Sequence, residues 1–483
     1  MDPIDRFLAI AAKHPQLPAI HTDETEWSYA QLERATRAVA RSVVDGGSTR
    51  IAIALHKAPA TYATILGVGL AGGYYAPLNV SSPLDKLQSI VTQLEPDLII
   101  SDGDLLTSLS AAWPAAKTLR PCEVADDELL EGAGTRHDIS HIIFTSGSTG
   151  QPKGVIIPRS AMAHFVEWQE SFGIGPGDRV SQQPNLAFDM SLTDICGAFC
   201  FGGTLYPLVT DGDNFMPGDF IRRHRITVWG SVPSVLSQIQ RGNQLTPENL
   251  DSIRLITTAG EPLFKEHLDA VFAANPRILF QNSYGPTETT ITMTSRMLTS
   301  DDYLKYCRNC VAFGGPIEGM DIVLIDGAHP DEGEALIIGP QVADGYWRDP
   351  IKTAAAFVDH NGRKAYRSGD WVERIDGEYY FKERIDFQVK IRGFRVELGE
   401  VAAALRRLGF SVAVAFKHGE SLAAVVERRT GVAFNEREIK LKLQAMIEKH
   451  AIPTRIVEVD ALPRSANDKL DRKLAMQLFE SLV

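Results

Sequence analysis

The chain has 483 residues, 44% of them hydrophobic, with 61 acidic against 49 basic side chains and a formal net charge of −12. That length predicts two or three folded units, and the apolar fraction is enough to fill a sizeable core, which excludes a disordered or fibrous chain. The acidic balance argues against a broad nucleic-acid or membrane surface, and no stretch reaches the roughly 18 apolar residues of a membrane span.

The acidic start, Met1-Asp2-Pro3-Ile4-Asp5, is unlike a secretory signal, so a cytoplasmic location is expected. Five cysteines, an odd count, suit a reducing compartment. Cys307 and Cys310 form a CxxC with no second pair or histidines at ligand spacing nearby, and read as two unlinked thiols.

In chain order, Leu32, Ala35, Val39, Ala40 and Val43 recur at helical spacing and predict a helix over 29–44. The apolar run Ile51–Leu55 precedes a helix-like stretch to about Leu70, and Leu98–Ile100 is a second short run. Ile139–Phe144 reads as a strand, followed by a Gly/Ser/Thr loop and a helix from about Ser160. Ile226–Trp229, Ile253–Thr257 and Ile278–Phe280 are strand candidates between helix-like segments. Strands alternating with helices imply parallel α/β layers.

Beyond about residue 330 the pattern changes to hairpin strands, Ala335–Ile338 and Glu378–Phe381, with Val389, Ile391 and Val396 continuing the β character. A small α+β run follows: a helix at about 397–408, strands Val412–Phe416 and Leu422–Val426, a helix at about 435–449 and a strand Ile456–Val459. The expected architecture is a large α/β N-terminal core of several subdomains, residues 1–385, and a small α+β C-terminal domain, residues 386–483.

The densest chemical signal is Phe144-Thr145-Ser146-Gly147-Ser148-Thr149-Gly150-Gln151-Pro152-Lys153-Gly154, directly after a strand. Its glycines free the backbone to turn N–H groups inward, and its hydroxyls and lysine add donors, which suits a polyphosphate. GxxxxGK[ST] is absent, so it is not a Walker A loop.

This segment resembles the phosphate loop of the acyl-adenylate-forming superfamily, which includes acyl-CoA synthetases, luciferases and the adenylation domains of nonribosomal peptide synthesis. The resemblance spans nearly the whole chain, because further motifs occur in the same order. It implies ATP and Mg²⁺ as cofactors, a small C-terminal domain that is mobile, and phosphate contacts from Thr145, Ser146, Gly147, Ser148, Thr149, Gly150 and Lys153.

Asn282-Ser283-Tyr284-Gly285-Pro286-Thr287-Glu288-Thr289 resembles the adenine and metal motif. By that resemblance Asn282, Tyr284 and Gly285 border the adenine, Tyr284 stacks on it, Thr287 touches the α-phosphate and Glu288 holds Mg²⁺, a role that fits a carboxylate. Gly333–Trp347, with Gly345-Tyr346-Trp347, resembles a core motif to which no chemistry is assigned. Tyr366-Arg367-Ser368-Gly369-Asp370 resembles the ribose motif, with Asp370 accepting from both ribose hydroxyls and Arg384 as a second contact.

Asp386 matches the family's hinge, and Gly393 matches a glycine that lets a pantetheine arm pass. Glu383 stands where the family has glycine. In Leu462–Arg472, Lys469 matches the lysine that bridges substrate carboxylate and phosphate, where a preorganised cation offsets the repulsion of two anions. Asp468 precedes it where the family has glycine.

Phe188-Asp189-Met190-Ser191 resembles the motif of amino-acid-activating members, whose aspartate pairs with the substrate α-ammonium, a buried cation that needs such a partner. As a helix cap, Asp189 would have a purely structural use. Motif matching suggests a side-chain pocket walled by Met190, Thr193, Gly230, Thr257, Ala259, Ser283, Ile291 and Thr292. With no charged residue and little bulk at Gly230 and Ala259, an open pocket for a medium or large neutral amino acid is expected. Val228–Ser234 with Ala259-Gly260-Glu261-Pro262-Leu263 also resembles D-alanine–carrier protein ligases, which keeps a small substrate open and places Gly260 and Glu261 by the nucleotide.

No carrier motif follows the C-terminal run, and a carrier domain needs about 80 residues. The expectation is a free-standing amino acid:carrier-protein ligase that charges a separate carrier through its phosphopantetheine thiol. An acyl- or aryl-CoA ligase and a non-catalytic nucleotide-binding relative are the alternatives.

Overall fold

The computed structural model describes residues 1–121, 130–145, 152–385, 388–410, 412–427, 434–463 and 472–483. The chain divides into two compact units, one of 1–80, 94–143 and 154–385, the other of 81–93, 144–153 and 386–483.

A nine-stranded sheet dominates the first unit, in the order Gly315–Pro316, Thr294–Leu298, Leu279–Asn282, Leu255–Thr258, Val228–Ser231, Arg179–Gln182, Thr204–Pro207, Pro18–His21 and Glu26–Ser28. Its six middle strands, from Leu279–Asn282 to Pro18–His21, run parallel, and antiparallel strands flank them on both sides. A six-stranded sheet carries Lys117–Leu119, Leu98–Ser101, Arg50–Ala54, Tyr74–Pro77, Ile139–Thr145 and Lys153–Pro158 in that order. A third, five-stranded sheet holds the antiparallel strands Asp321–Ile325, Glu332–Ile338, Phe357–His360, Arg363–Ile375 and Glu378–Arg384.

The expected parallel layers are therefore present, with strand boundaries shifted. Val228–Ser231 begins two residues after the apolar run that announced it, because Ile226 is fully buried in the core before ladder pairing starts. Ile253 and Ile278 do the same ahead of Leu255–Thr258 and Leu279–Asn282. An apolar run marks burial, and burial begins before the ladder.

The helix Tyr29–Asp45 starts at a capping box in which the Ser28 hydroxyl accepts from the Gln31 N–H and the Gln31 side chain accepts from the Ser28 N–H. Tyr29, Leu32, Val39 and Val43 are buried on its core face. Helix Pro59–Leu70 is apolar on all sides and buried from Thr61 to Leu70, as a helix between layers must be.

In the second unit a hairpin, Gln388–Ile391 with Phe394–Glu397, turns at Arg392 and Gly393, both at positive φ (51° and 81°). That is the mirror-image two-residue turn that matches strand twist. Helix Leu398–Arg407 and the sheet Ala413–His418, Ser421–Glu427, Arg455–Val459 build its core. The helix expected over 435–449 is shorter, Glu436–Leu443, because the chain turns after Gln444 and Glu448 is extended (ψ 145°). Among the described residues no helix is long and apolar enough to cross a membrane.

Candidate active site

The site residues of the first unit gather at the carboxyl ends of Leu255–Thr258 and Leu279–Asn282, where parallel α/β sheets bind ligands. Tyr284 is buried against Phe313, ring centroids 4.7 Å apart, and its hydroxyl donates to Asp370 Oδ2 at 2.6 Å. Arg384 donates to Asp370 Oδ1 at 2.7 Å. Strand pairing sets this up, since Asp370 and Arg384 face each other across adjacent strands. Burial first, then the Asp370 charge, push the Tyr284 phenol well above its ordinary range, so it stays a donor. Both Asp370 oxygens already accept one bond, and a carboxylate has about four acceptor sites, which leaves room for two more donors.

Gly285 is glycine for a close approach: a Cβ there would lie 2.6 Å from Thr292 Cα and 2.7 Å from Ile291 O. The chain then makes a tight turn, Thr287–Thr289, and continues through Thr290 and Ile291 at φ 58° and 70°. Consecutive β-branched residues in the left-handed region are strained, and such strain persists where surroundings impose it. Gln341 imposes it here. Its buried amide donates to the carbonyls of Thr289 (3.2 Å), Thr290 (3.1 Å) and Thr292 (2.7 Å), and the Thr290 hydroxyl donates back to Gln341 O at 2.8 Å.

This turn carries Glu288, which is fully buried and accepts from the Tyr346 hydroxyl at 2.9 Å. Tyr346 belongs to the segment read as chemically silent, and it supports the carboxylate directly. Backbone pairing delivers it: Ile156 N donates to Gly345 O at 3.0 Å and Trp347 N to Gly154 O at 2.7 Å. Neither Gln341 nor Tyr346 carries a sequence signal for these roles, because the partners lie about fifty positions away or more.

A cavity of about 10 Å³, roughly the room one water needs, is lined by Met190, Thr193, Thr257, Ala259, Ser283 and Thr292, all expected as pocket walls. Trp168 and Phe172 line it as well, adding aromatic bulk beside the walls expected from motif matching. These aromatics precede the matched motif, which is why motif matching did not reach them as walls. Gly230 and Ile291 are not among its lining residues. A Cβ on Gly230 would meet the buried Asp194 Oδ1 at 2.3 Å, and Ile291 packs into the hydrophobic core.

Asp189 is half-buried just before helix Ser191–Phe199, whose N-cap is Met190 with no side-chain cap bond. The Asn282 amide donates to Ala312 O at 2.9 Å, and Glu261 accepts from Ser234 N at 2.9 Å beside Gly260, whose φ is +88°. Thr145 and Lys153, in the second unit, flank the segment expected to bind phosphate, with the Thr145 hydroxyl 3.5 Å from Lys153 O. Ser146, Gly147, Ser148, Thr149, Gly150, the expected hinge Asp386, and Asp468 and Lys469 lie outside the described residues.

Residues 7–347 match the model of the AMP-binding enzyme family. The chain belongs to that family. It is 29% identical to the D-alanine–D-alanyl carrier protein ligase of Lacticaseibacillus casei, over 97% of each chain. It is 31% identical to the phenyloxazoline synthase MbtB of Mycobacterium sp. (strain MCS), over 97% of this chain and 41% of that protein. The adenylation domain AlmE of Vibrio cholerae, solved with glycyl-adenosine-5'-phosphate, matches with a TM-score of 0.86 at 26% identity, covering 99% of this chain and 98% of that one.

AMP-binding enzymes use ATP, and the donor set fits it. Asp370 and Arg384 offer a carboxylate and a cation beside the Tyr284 ring. Glu288 would offer one hard oxygen ligand, and Mg²⁺ in nucleotide sites usually takes only one or two carboxylates, completing its shell with phosphates and water. No group of three metal-ligating side chains occurs among the described residues.

Proposed function

We infer that this protein activates an amino acid as its aminoacyl-adenylate and passes it to the phosphopantetheine thiol of a separate carrier protein. In the first step a substrate carboxylate oxygen attacks the α-phosphorus of ATP and pyrophosphate leaves. In the second a thiol sulfur attacks the acyl carbonyl, losing its proton, and AMP leaves. The observation that carries this reading is the clustering of Tyr284, Asp370 and Arg384 with the Glu288 turn and the Thr193–Thr257–Ser283 cavity within one unit of an AMP-binding fold.

Asp370 and Arg384 hold the ribose, with Asn282, Tyr284, Gly285, Gly260 and Glu261 around the base. Thr287 and the loop from Thr145 to Lys153 hold the phosphates. Glu288 would hold Mg²⁺, which neutralises phosphate charge when bound. Asp189 pairs with the α-ammonium, and Lys469, on the C-terminal domain that begins at the hinge Asp386, offsets the repulsion between carboxylate and phosphate. The relatives support an amino acid and a carrier by their own names. Pyrophosphate exchange over amino acids, with a second assay of carrier loading against free CoA, tests it. Exchange with des-amino acids alone, or transfer only to CoA, would instead identify an acyl-CoA ligase.

A further inference from the structure

Helix Arg159–Trp168 and the 3₁₀ turn Gln169–Phe172 place Phe165, Trp168 and Phe172 at positions i, i+3 and i+7, one side of a continuous helical run. The turn stops at Gly173, which is left-handed (φ 58°). Trp168 lies edge-on to Phe172, centroids 4.9 Å apart, and tilted to Phe165 at 5.7 Å. Phe165 and Phe172 are core residues, exposed by 0% and 5%. Trp168 is thus braced on both sides by rings that cannot retreat without opening the core, where packing is close.

The next residue adds a second brace. Gln169 is fully buried and donates to Thr193 O at 2.9 Å, tying this turn to the opposite wall. Trp168 and Phe172 then line the cavity with Met190, Thr193, Thr257 and Ser283. Its volume, about 10 Å³, admits one water-sized group.

We propose that Trp168, braced by Phe165 and Phe172, sets the size limit of this cavity and restricts the substrate to amino acids whose side chain is no larger than a methyl group. This rests on the reading of the cavity as the side-chain pocket of an amino-acid-activating enzyme. Each further methylene meets a rigid aromatic wall, and one methylene at such a pocket is worth roughly 10–200-fold in kcat/KM.

The experiment measures kcat/KM by pyrophosphate exchange for glycine, D- and L-alanine, 2-aminobutyrate, leucine and phenylalanine. Wild type should favour glycine or an alanine over leucine by at least about 10³-fold, since leucine adds three carbons to alanine at about tenfold or more each. In Trp168→Ala the leucine-to-alanine ratio should rise at least about tenfold. Trp168→Leu is read beside it, with a thermal melt for each, in case the larger truncation loosens the core. Wild type preferring leucine or phenylalanine would overturn the size limit while leaving amino-acid activation intact. Unchanged ratios in both variants would remove Trp168 from the role. Exchange with no amino acid at all would overturn the function itself, and the inference with it.

Discussion

Tyr284 and Asp370 are 86 positions apart in sequence and joined by a 2.6 Å hydrogen bond between buried side chains. The aromatic residue expected to stack on adenine is thereby fixed to the carboxylate expected to hold ribose. Tyr284→Phe keeps the ring and removes the donor. A hydrogen bond to a charged group is worth roughly 1.5–3 kcal/mol, so a stability loss of that order is expected in a melt. KM for ATP should rise more than kcat falls, because Arg384 still holds the other Asp370 oxygen. A kcat loss with unchanged ATP affinity would mean that the pair does not serve the nucleotide.

Gln341 should be essential to the shape of the Glu288 turn. Gln341→Leu leaves three carbonyls of a strained turn, those of Thr289, Thr290 and Thr292, without their shared donor. Thr290 O keeps the Thr292 N–H at 2.9 Å, so the loss falls on the carbonyls of Thr289 and Thr292, and at about 1–3 kcal/mol for each unsatisfied buried group a total of roughly 2–4 kcal/mol is expected. Chemical denaturation reads the stability loss and pyrophosphate exchange reads the effect on Glu288. A stable variant with full activity would show that the turn holds itself.

Lys469→Ala tests the C-terminal lysine. Losing one preorganised charge contact should cut adenylation by about 10²–10³, while ATP binding, followed by equilibrium titration, changes much less. An exchange rate equal to wild type would show that Asp468-Lys469 does not act as its motif implies.

The strand-helix alternation and the motif order were legible in the sequence because both are local. The Ile139–Thr145 strand and the Tyr29–Asp45 helix follow from short-range periodicity, and so does the β character around Val389 and Val396. Gly393 also has a conformational reason to be glycine, φ +81°, which the motif match alone did not supply. The Tyr346–Glu288 and Gln341–Thr292 contacts were illegible, since they depend on which distant segments the sheets bring together. Trp168 and Phe172 were illegible as lining residues for the same reason, since they lie outside the motif positions.

Acid should destabilise the first unit through His141. It is fully buried beside Tyr75, its Nε2 finds no partner among the described residues, and burial, reinforced by Arg159, holds its pKa down at about 3. The unfolded value is near 6.5, so between those limits the unfolded chain binds the extra proton. Stability is therefore complete above about pH 6.5 and lost as pH falls, by roughly 2 kcal/mol at pH 5. His141→Phe, which keeps a ring against Tyr75, should flatten the melting-temperature profile between pH 7 and 5. The slope of wild type persisting in the variant would assign it to other groups, His450 among them.

Asp189 decides the substrate class. If it pairs with an α-ammonium, Asp189→Asn removes the counter-ion and leaves an amide of similar shape. Breaking such a pair costs roughly 3–5 kcal/mol where it is buried, or on the order of 10²–10³ in kcat/KM for the amino acid. The des-amino analogue has no ammonium to orphan, so its kcat/KM should hold. A helix-capping role predicts the opposite pattern, about 1 kcal/mol or less of stability and an equal effect on both acids. Measuring kcat/KM for the best amino acid and its des-amino analogue, in wild type and variant with a melt alongside, separates the two. Parallel losses for both substrates would sink the ammonium role and, with it, the choice of an amino acid over a simple acyl group.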